Sequence, residues 1–317
     1  MIMKNRRSFI IGIKSKTLST KEKKFIQKYK PWGIILFSRN IESLKQTKKL
    51  TEQIKNIFQD KNYPILIDQE GGRVNRLKKI FIAEPFTGEF FGKLYLKDKK
   101  KFFQYYKIFI DQTSSLLKSI GVNINTLPVL DIRRKGSSSI IGDRSFSKNP
   151  NIVSKMGDIC ISLFHSKKIG TVMKHIPGHG LAKVDSHQLT PRIKKNLNYL
   201  KINDFYTFKN KSSLFAMTGH IIYSKIDKLN TATHSSKIIQ LIRNNIKFKN
   251  IIMSDDISMK SLKGTIVDNT IKAFEAGCDL VLHCNGNLKE MNDVAIHSPL
   301  INKFIIKKTS QFYRIIS

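Results

Sequence analysis

Residues 170–180 read GTVMKHIPGHG. An apolar run opens the stretch, ionisable side chains follow at Lys174 and His175, and Pro177, Gly178 and Gly180 close it. A run without polar alternation suits a strand covered on both faces, and proline with glycine turns the chain, so the stretch reads as a buried strand emptying into a loop. Asp185, Ser186 and His187 lie just behind it. Chemistry is expected at this strand end.

Working outward, seven more short apolar segments have the same character, at 8–13, 32–37, 64–68, 121–132, 213–220, 251–255 and 279–283. Helical patterns separate them. Ser19 with Glu22 has capping-box spacing ahead of Phe25, Ile26 and Tyr29, and Leu50, Ile54, Ile57 and Phe58 make a similar stripe. Ile152, Met156, Ile159, Cys160 and Leu163 follow Pro150 and Asn151. Ile238, Leu241 and Ile242 precede the seventh segment, and Ile271 and Phe274 run up to Gly277, a C-terminal stop. Eight strands alternating with helices predict an α/β fold, a single (β/α)8 TIM-type barrel, whose usual size is ~250 residues and upward. A doubly wound open sheet competes, but no glycine-rich phosphate loop follows an early strand. No linker rich in serine, glycine and proline divides the 317 residues, so one catalytic domain is expected over 1–317, with no second C-terminal domain.

Hydrophobic residues make up 40% of the chain, which excludes a disordered protein. No apolar run approaches the ~18 residues of a membrane span, and 8–13, interrupted by Lys14, is shorter than a signal-peptide core, so a cytoplasmic protein is expected. Cys160, Cys278 and Cys284 have neither disulfide nor metal-ligand spacing. All three read as core residues, and no metal or other cofactor is expected. The 57 lysines and arginines against 23 acids give a formal net charge of +34, which invites a nucleic-acid reading. The lysines are spread along the chain among many isoleucines and asparagines, however, and these three residues share A/T-rich codons. A compositional bias accounts for the charge without an obligatory nucleic-acid partner.

In a barrel of this kind function sits where strands end. Those positions hold Asp68, Gln69, Glu70, Arg73 and Arg76, then Asp131, Asp143 and Arg144, then Lys174, His175 and His179, then His220, and finally Asp255 and Asp256. Carboxylates and guanidinium forks converging in one pocket suit a polyhydroxylated ligand held by charge-assisted hydrogen bonds. An aldolase or a phosphosugar enzyme would also fit that lining.

Seven blocks narrow the choice: IDQEGGRVNR at 67–76, NTLPVLDI at 125–132, IIGDRSFS at 140–147, KHIPGHG at 174–180, DSH at 185–187, MTGHIIY at 217–223 and SDDISM at 254–259. Together and in this order they resemble the glycoside hydrolase family 3 β-N-acetylhexosaminidases. The resemblance implies a retaining exo-β-N-acetylglucosaminidase that removes N-acetylglucosamine from muropeptides carrying 1,6-anhydro-N-acetylmuramic acid, in peptidoglycan recycling. It implies Asp255 as nucleophile, His187 as general acid/base with Asp185 as its partner, and Asp68, Arg76, Arg144, Lys174 and His175 as sugar-binding residues. Apart from the resemblance, a monomer that binds no membrane is expected.

The chemistry stands beside the resemblance. A strand-end carboxylate can attack an anomeric carbon and form a covalent glycosyl-enzyme. An imidazole, with an ordinary pKa near ~6.5, can protonate the leaving oxygen and then deprotonate water. Asp185 can fix the tautomer of His187 and favour its cationic form. From the residues alone several alternatives stay open. Asp185 and Ser186 could form only a turn, Asp255 could pair with Lys174, Asp256 could be the carboxylate facing the pocket, and Arg76 and Arg144 could be surface residues. His179 and His220 read as groups that shape the site through hydrogen bonds, and Glu70 competes with His187 as the acid although Gly71 and Gly72 mark a tight turn there. A glycoside phosphorylase, a family 3 glycosidase of other sugar preference, or an inactive basic binding protein are the alternative functions.

Overall fold

The apolar runs become eight parallel strands: β1 (Arg7–Gly12), β2 (Pro31–Leu36), β3 (Ile65–Ile67), β4 (Ile124–Asn125), β5 (Gly170–Ile176), β6 (Phe215–Thr218), β7 (Ile251–Asp256) and β8 (Leu280–His283). The computed structural model describes residue 3 and residues 5–136, 139–184 and 189–317. Each strand pairs with its neighbours in sequence, and β1 closes on β8 with Phe9 opposite Val281, so the sheet is a closed barrel. The predicted (β/α)8 architecture is the observed one.

Ten α-helices surround the strands among the described residues. Helix α1 (Thr20–Tyr29) begins with the expected reciprocal capping box of Ser19 and Glu22, α5 (Pro150–Ser166) carries its proline in the first turn, and α8 (Ile266–Ala276) ends on Gly277 in the left-handed conformation. Helix α2 (Leu44–Phe58) buries Leu50, Ile54 and Phe58, as its stripe predicts. Two consecutive helices, α3 (Gly88–Lys97) and α4 (Lys99–Ser119), fill the crossover from β3 to β4. They pack through Phe91, Tyr106 and Phe109, the ring of Phe91 lying 4.6 Å from Tyr106 and 5.2 Å from Phe109. Helix α6 (Leu197–Ile202) follows β5, and α7 (Ser236–Leu241) widens into a π-helical turn at Ile242–Ile246.

Inside the barrel, Ile10, Ile35, Leu66, Ile124, Val172, Phe215, Ile251 and Leu280 form the packed interior. After β8 come α9 (Leu288–His297) and α10 (Lys303–Ile316). Helix α10 covers the barrel end away from the functional loops. Trp32 Nε1 donates to Thr309 Oγ1 at 2.9 Å, and the Phe312 ring stands 5.6 Å from that of Phe215. Arg6 is buried on the same side against the stacked rings of Phe58 and Tyr63, and both it and the Tyr313 hydroxyl donate to Asp60.

One element is shorter than expected. The 121–132 run pairs as a strand only at Ile124–Asn125, because Pro128 has no N–H for the ladder. Beyond it, Leu130 N donates to Lys174 O and Lys174 N to Pro128 O, which keeps the segment beside β5. Two short strands, Arg192–Ile193 and Ile222–Tyr223, form a separate parallel pair that the sequence did not announce.

Candidate active site

The functional groups gather at the C-terminal mouth of the barrel, on strand ends or, for Arg76 and Arg144, in the loops beyond them. Asp68 is the first residue beyond β3. The turn behind it is fixed by a reciprocal pair, Gln69 N donating to Asn125 Oδ1 at 3.1 Å and Asn125 Nδ2 to Gln69 O at 2.9 Å. Asp68 accepts from Thr126 Oγ1 at 2.7 Å and from Arg76 Nη2 at 2.8 Å, and it ion-pairs with Lys174 Nζ. Glu70 takes a two-pronged contact from Arg144, Nε at 2.8 Å and Nη2 at 2.7 Å, and lies 2.5 Å from Lys174 Nζ. Lys174, only 2% exposed, thus stands between two carboxylates.

Burial alone would raise the pKa of both carboxylates, but the surrounding cations outweigh it. Lys174, Arg76 and Arg144 hold Asp68 well below the usual carboxylate range, and Arg144 with Lys174 lowers Glu70. For Arg144 the same balance runs the other way: burial would lower its pKa, and Glu70 with Asp68 more than reverses it. A carboxylate tied down in this way is a poor proton donor. Glu70 is therefore a fixed, ionised partner of Arg144 and Lys174 rather than a competitor for the acid role.

A second buried carboxylate centre sits behind His175. Asp131, fully buried, accepts from His175 Nδ1 at 2.6 Å, from the His175 backbone N–H at 3.2 Å and from the His179 backbone N–H at 2.6 Å. Its pKa falls below the ordinary value because His175 and the His179 contacts overcome burial. His179 is pushed down to about 4, by burial first and the neighbouring His175 second, so it is neutral near pH 7.

On the far wall, β7 carries Asp255 and Asp256. Asp256 N donates to Asp255 Oδ1 at 2.8 Å. The Asp256 carboxylate accepts from Ser258 N at 3.0 Å, from Ser258 Oγ at 2.8 Å and from Cys284 N at 3.2 Å. His220, one of the groups expected to shape the site, bridges Thr233 Oγ1 at 2.7 Å and the Asp256 carbonyl at 2.9 Å.

These walls enclose a cavity of about 320 Å³, inside the usual range for small-molecule sites. Asp68, Arg76, Arg144, Lys174, His175 and Asp255 all line it, and so does Asp256. Arg76 and Arg144, which the residues alone also allowed as surface arginines, thus stand at one cavity. Asp185 and His187 lie outside the described residues. Phe37, Thr126, Met217 and Met259 also line the cavity and were missed; Phe37 ends the second apolar run, and that position was the available signal. Cys284, read as core, is a correction. It is half-buried and borders the cavity, since it lies two residues beyond Leu282 and shares its face. Burial, then Asp256 and Asp255, raise its thiol pKa well above the ordinary value, so the thiolate is disfavoured.

The arrangement places carboxylates, an imidazole and four cations, Arg73, Arg76, Arg144 and Lys174, around a space of monosaccharide scale. Among the described residues no cluster of three or more His, Cys, Asp and Glu could hold a metal ion, and no helix is long and apolar enough to cross a membrane.

Comparison with known proteins gives the same direction. Residues 8–308 match the family described as the Glycosyl hydrolase family 3 N terminal domain. A beta-hexosaminidase from Idiomarina loihiensis is 30% identical over 280 residues, covering 87% of this chain and 83% of the relative. Native NagZ from Neisseria gonorrhoeae superposes with a TM-score of 0.83 at 28% identity, over 98% of this chain and 90% of that one. The same NagZ in complex with N-trifluoroacetyl-D-glucosamine superposes with a TM-score of 0.78 at 25% identity, over 99% of each chain. The chain belongs to glycosyl hydrolase family 3, and it is a glycoside hydrolase of the beta-hexosaminidase kind.

Proposed function

We propose that this protein is a retaining exo-β-N-acetylglucosaminidase in which Asp255 is the nucleophile. The observation that carries the reading is the shared cavity: Asp255 at the end of β7 faces the same space as Asp68, Arg76, Arg144, Lys174 and His175. Ionised Asp68 and the cations around it can hold sugar hydroxyls by charge-assisted hydrogen bonds, leaving the anomeric carbon for Asp255. Attack forms a glycosyl-aspartate as the aglycone oxygen leaves with a proton from His187, and water then reverses the step with His187 as base. Asp185 holds His187 in the required tautomer. An N-acylated glucosamine as the bound sugar is supported by the NagZ complex with N-trifluoroacetyl-D-glucosamine. The 1,6-anhydro-muropeptide leaving group and the place in peptidoglycan recycling follow from the sequence resemblance, and a cytoplasmic monomer remains the expectation read from the sequence.

The test is release of 4-nitrophenol from its β-N-acetylglucosaminide, with an anhydro-muropeptide as second substrate. Asp255→Ala and His187→Ala should each lose at least about 100-fold in kcat, the scale of a missing nucleophile or acid/base. Azide should partly rescue Asp255→Ala and yield the inverted glycosyl azide. A folded wild-type protein that turns over neither substrate would refute the assignment.

A further inference from the structure

His220 stands at the end of β6 and is 1% exposed. Its two ring nitrogens have unlike partners. Nε2 lies 2.9 Å from the Asp256 carbonyl, a group that can only accept, so Nε2 must carry the hydrogen. Nδ1 lies 2.7 Å from Thr233 Oγ1, and that hydroxyl lies 2.8 Å from Thr218 Oγ1. A neutral ring with hydrogen on Nε2 then accepts the Thr233 hydroxyl proton at Nδ1. The ring's lowered pKa, due first to burial, agrees with the neutral form even though Asp255 and Asp256 favour the cation.

The consequence reaches the candidate nucleophile. Asp256 is gripped at its carbonyl by His220 and at its carboxylate by Ser258 and the Cys284 N–H, while its own N–H donates to Asp255 Oδ1. Fixing Asp256 therefore fixes the direction of the N–H that orients the Asp255 carboxylate. We propose that His220, as the neutral Nε2–H tautomer in the Thr218–Thr233–His220 chain, is a positioning residue that holds Asp255 in its attacking orientation through Asp256. This inference rests on the nucleophile assignment made above.

Glutamine places an amide nitrogen where Nε2 stands, and asparagine places it where Nδ1 stands. His220→Asn should lower kcat about 30-fold or more with KM changed less than about threefold, and His220→Gln should recover most of that loss. Nitrogen-15 chemical shifts of the wild-type ring should show a neutral Nε2–H imidazole at pH 7 to 8. Equal activity of the two variants, a loss confined to KM, or an Nδ1–H or cationic ring would overturn the proposal. Should neither variant fold, the wild-type ring shifts decide it. If the nucleophile assignment itself is wrong, the failure appears in the wild type and in Asp255→Ala rather than as a missing difference between asparagine and glutamine at 220.

Discussion

Replacing Lys174 by methionine keeps the stem and removes the charge that stands between Asp68 and Glu70. Deleting one partner of a buried ion pair typically costs ~3–5 kcal/mol because a charge is left buried and uncompensated. Here each carboxylate keeps one guanidinium, Arg76 at 2.8 Å for Asp68 and Arg144 at 2.7 Å for Glu70, so the low end applies, about 3 kcal/mol. In a chain of 317 residues that corresponds to a drop of about 4–5 °C in Tm. Losing a charge-assisted contact to the sugar should in addition lower kcat/KM about 100-fold.

The pH dependence carries the sharper test. In the wild type both carboxylates have depressed pKa values, so their contribution is complete between pH 5 and 7 and is lost only as pH falls through those low values. In Lys174→Met burial gains the upper hand and moves one folded-state pKa upward. A group of that kind stabilises below its unfolded pKa and loses that contribution as pH rises through its folded pKa. The deficit of the variant should therefore shrink from pH 7 to pH 5 in urea melts. A deficit below about 1 kcal/mol at pH 7, or one that grows on acidification, would refute the ion-pair account.

Two further outcomes follow from other sites. Burial pushes the Asp204 carboxyl up to about 6 despite Arg134 at 3.5 Å, so its contribution is present below the unfolded value and lost as pH rises through about 6. Asp204→Asn should thus gain on the wild type by about 1.4 kcal/mol between pH 5 and pH 8, read from urea midpoints. Gly92 lies within α3, where alanine would ordinarily stabilise by ~1 kcal/mol. A methyl there would collide with the Phe146 carbonyl oxygen, so Gly92→Ala should instead destabilise by ~1–3 kcal/mol, visible as a lower Tm.

The barrel was legible because its strands are covered on both faces and so appear as unbroken apolar runs, β5 being buried at all seven positions. Asp68, Lys174 and Asp255 were legible for a related reason: each is an abrupt polar residue where such a run ends. The contact of Arg144 with Glu70 was not, since those residues are 74 apart in sequence and no local pattern links them. The truncation of β4 was signalled by Pro128 but outweighed by the apolar residues around it. Helices α3 and α4 are not among the helices the sequence predicts, although their aromatic residues recur at helical spacing. For α10 the apolar residues Phe304, Ile305, Ile306, Phe312 and Ile315 made a closing helix readable in sequence, whereas its destination beneath Trp32 was not.

The pairing of β1 with β8 also governs how such a molecule must come into being. Until the eighth strand has left the ribosome, the growing chain is an open sheet with two bare edges whose apolar faces await covering. Pairings between segments this distant in sequence form slowly, because the loop must close before any contact rewards it, and unpaired edges invite association between chains meanwhile. The formal charge of +34 acts in the opposite sense, since like-charged nascent chains repel one another.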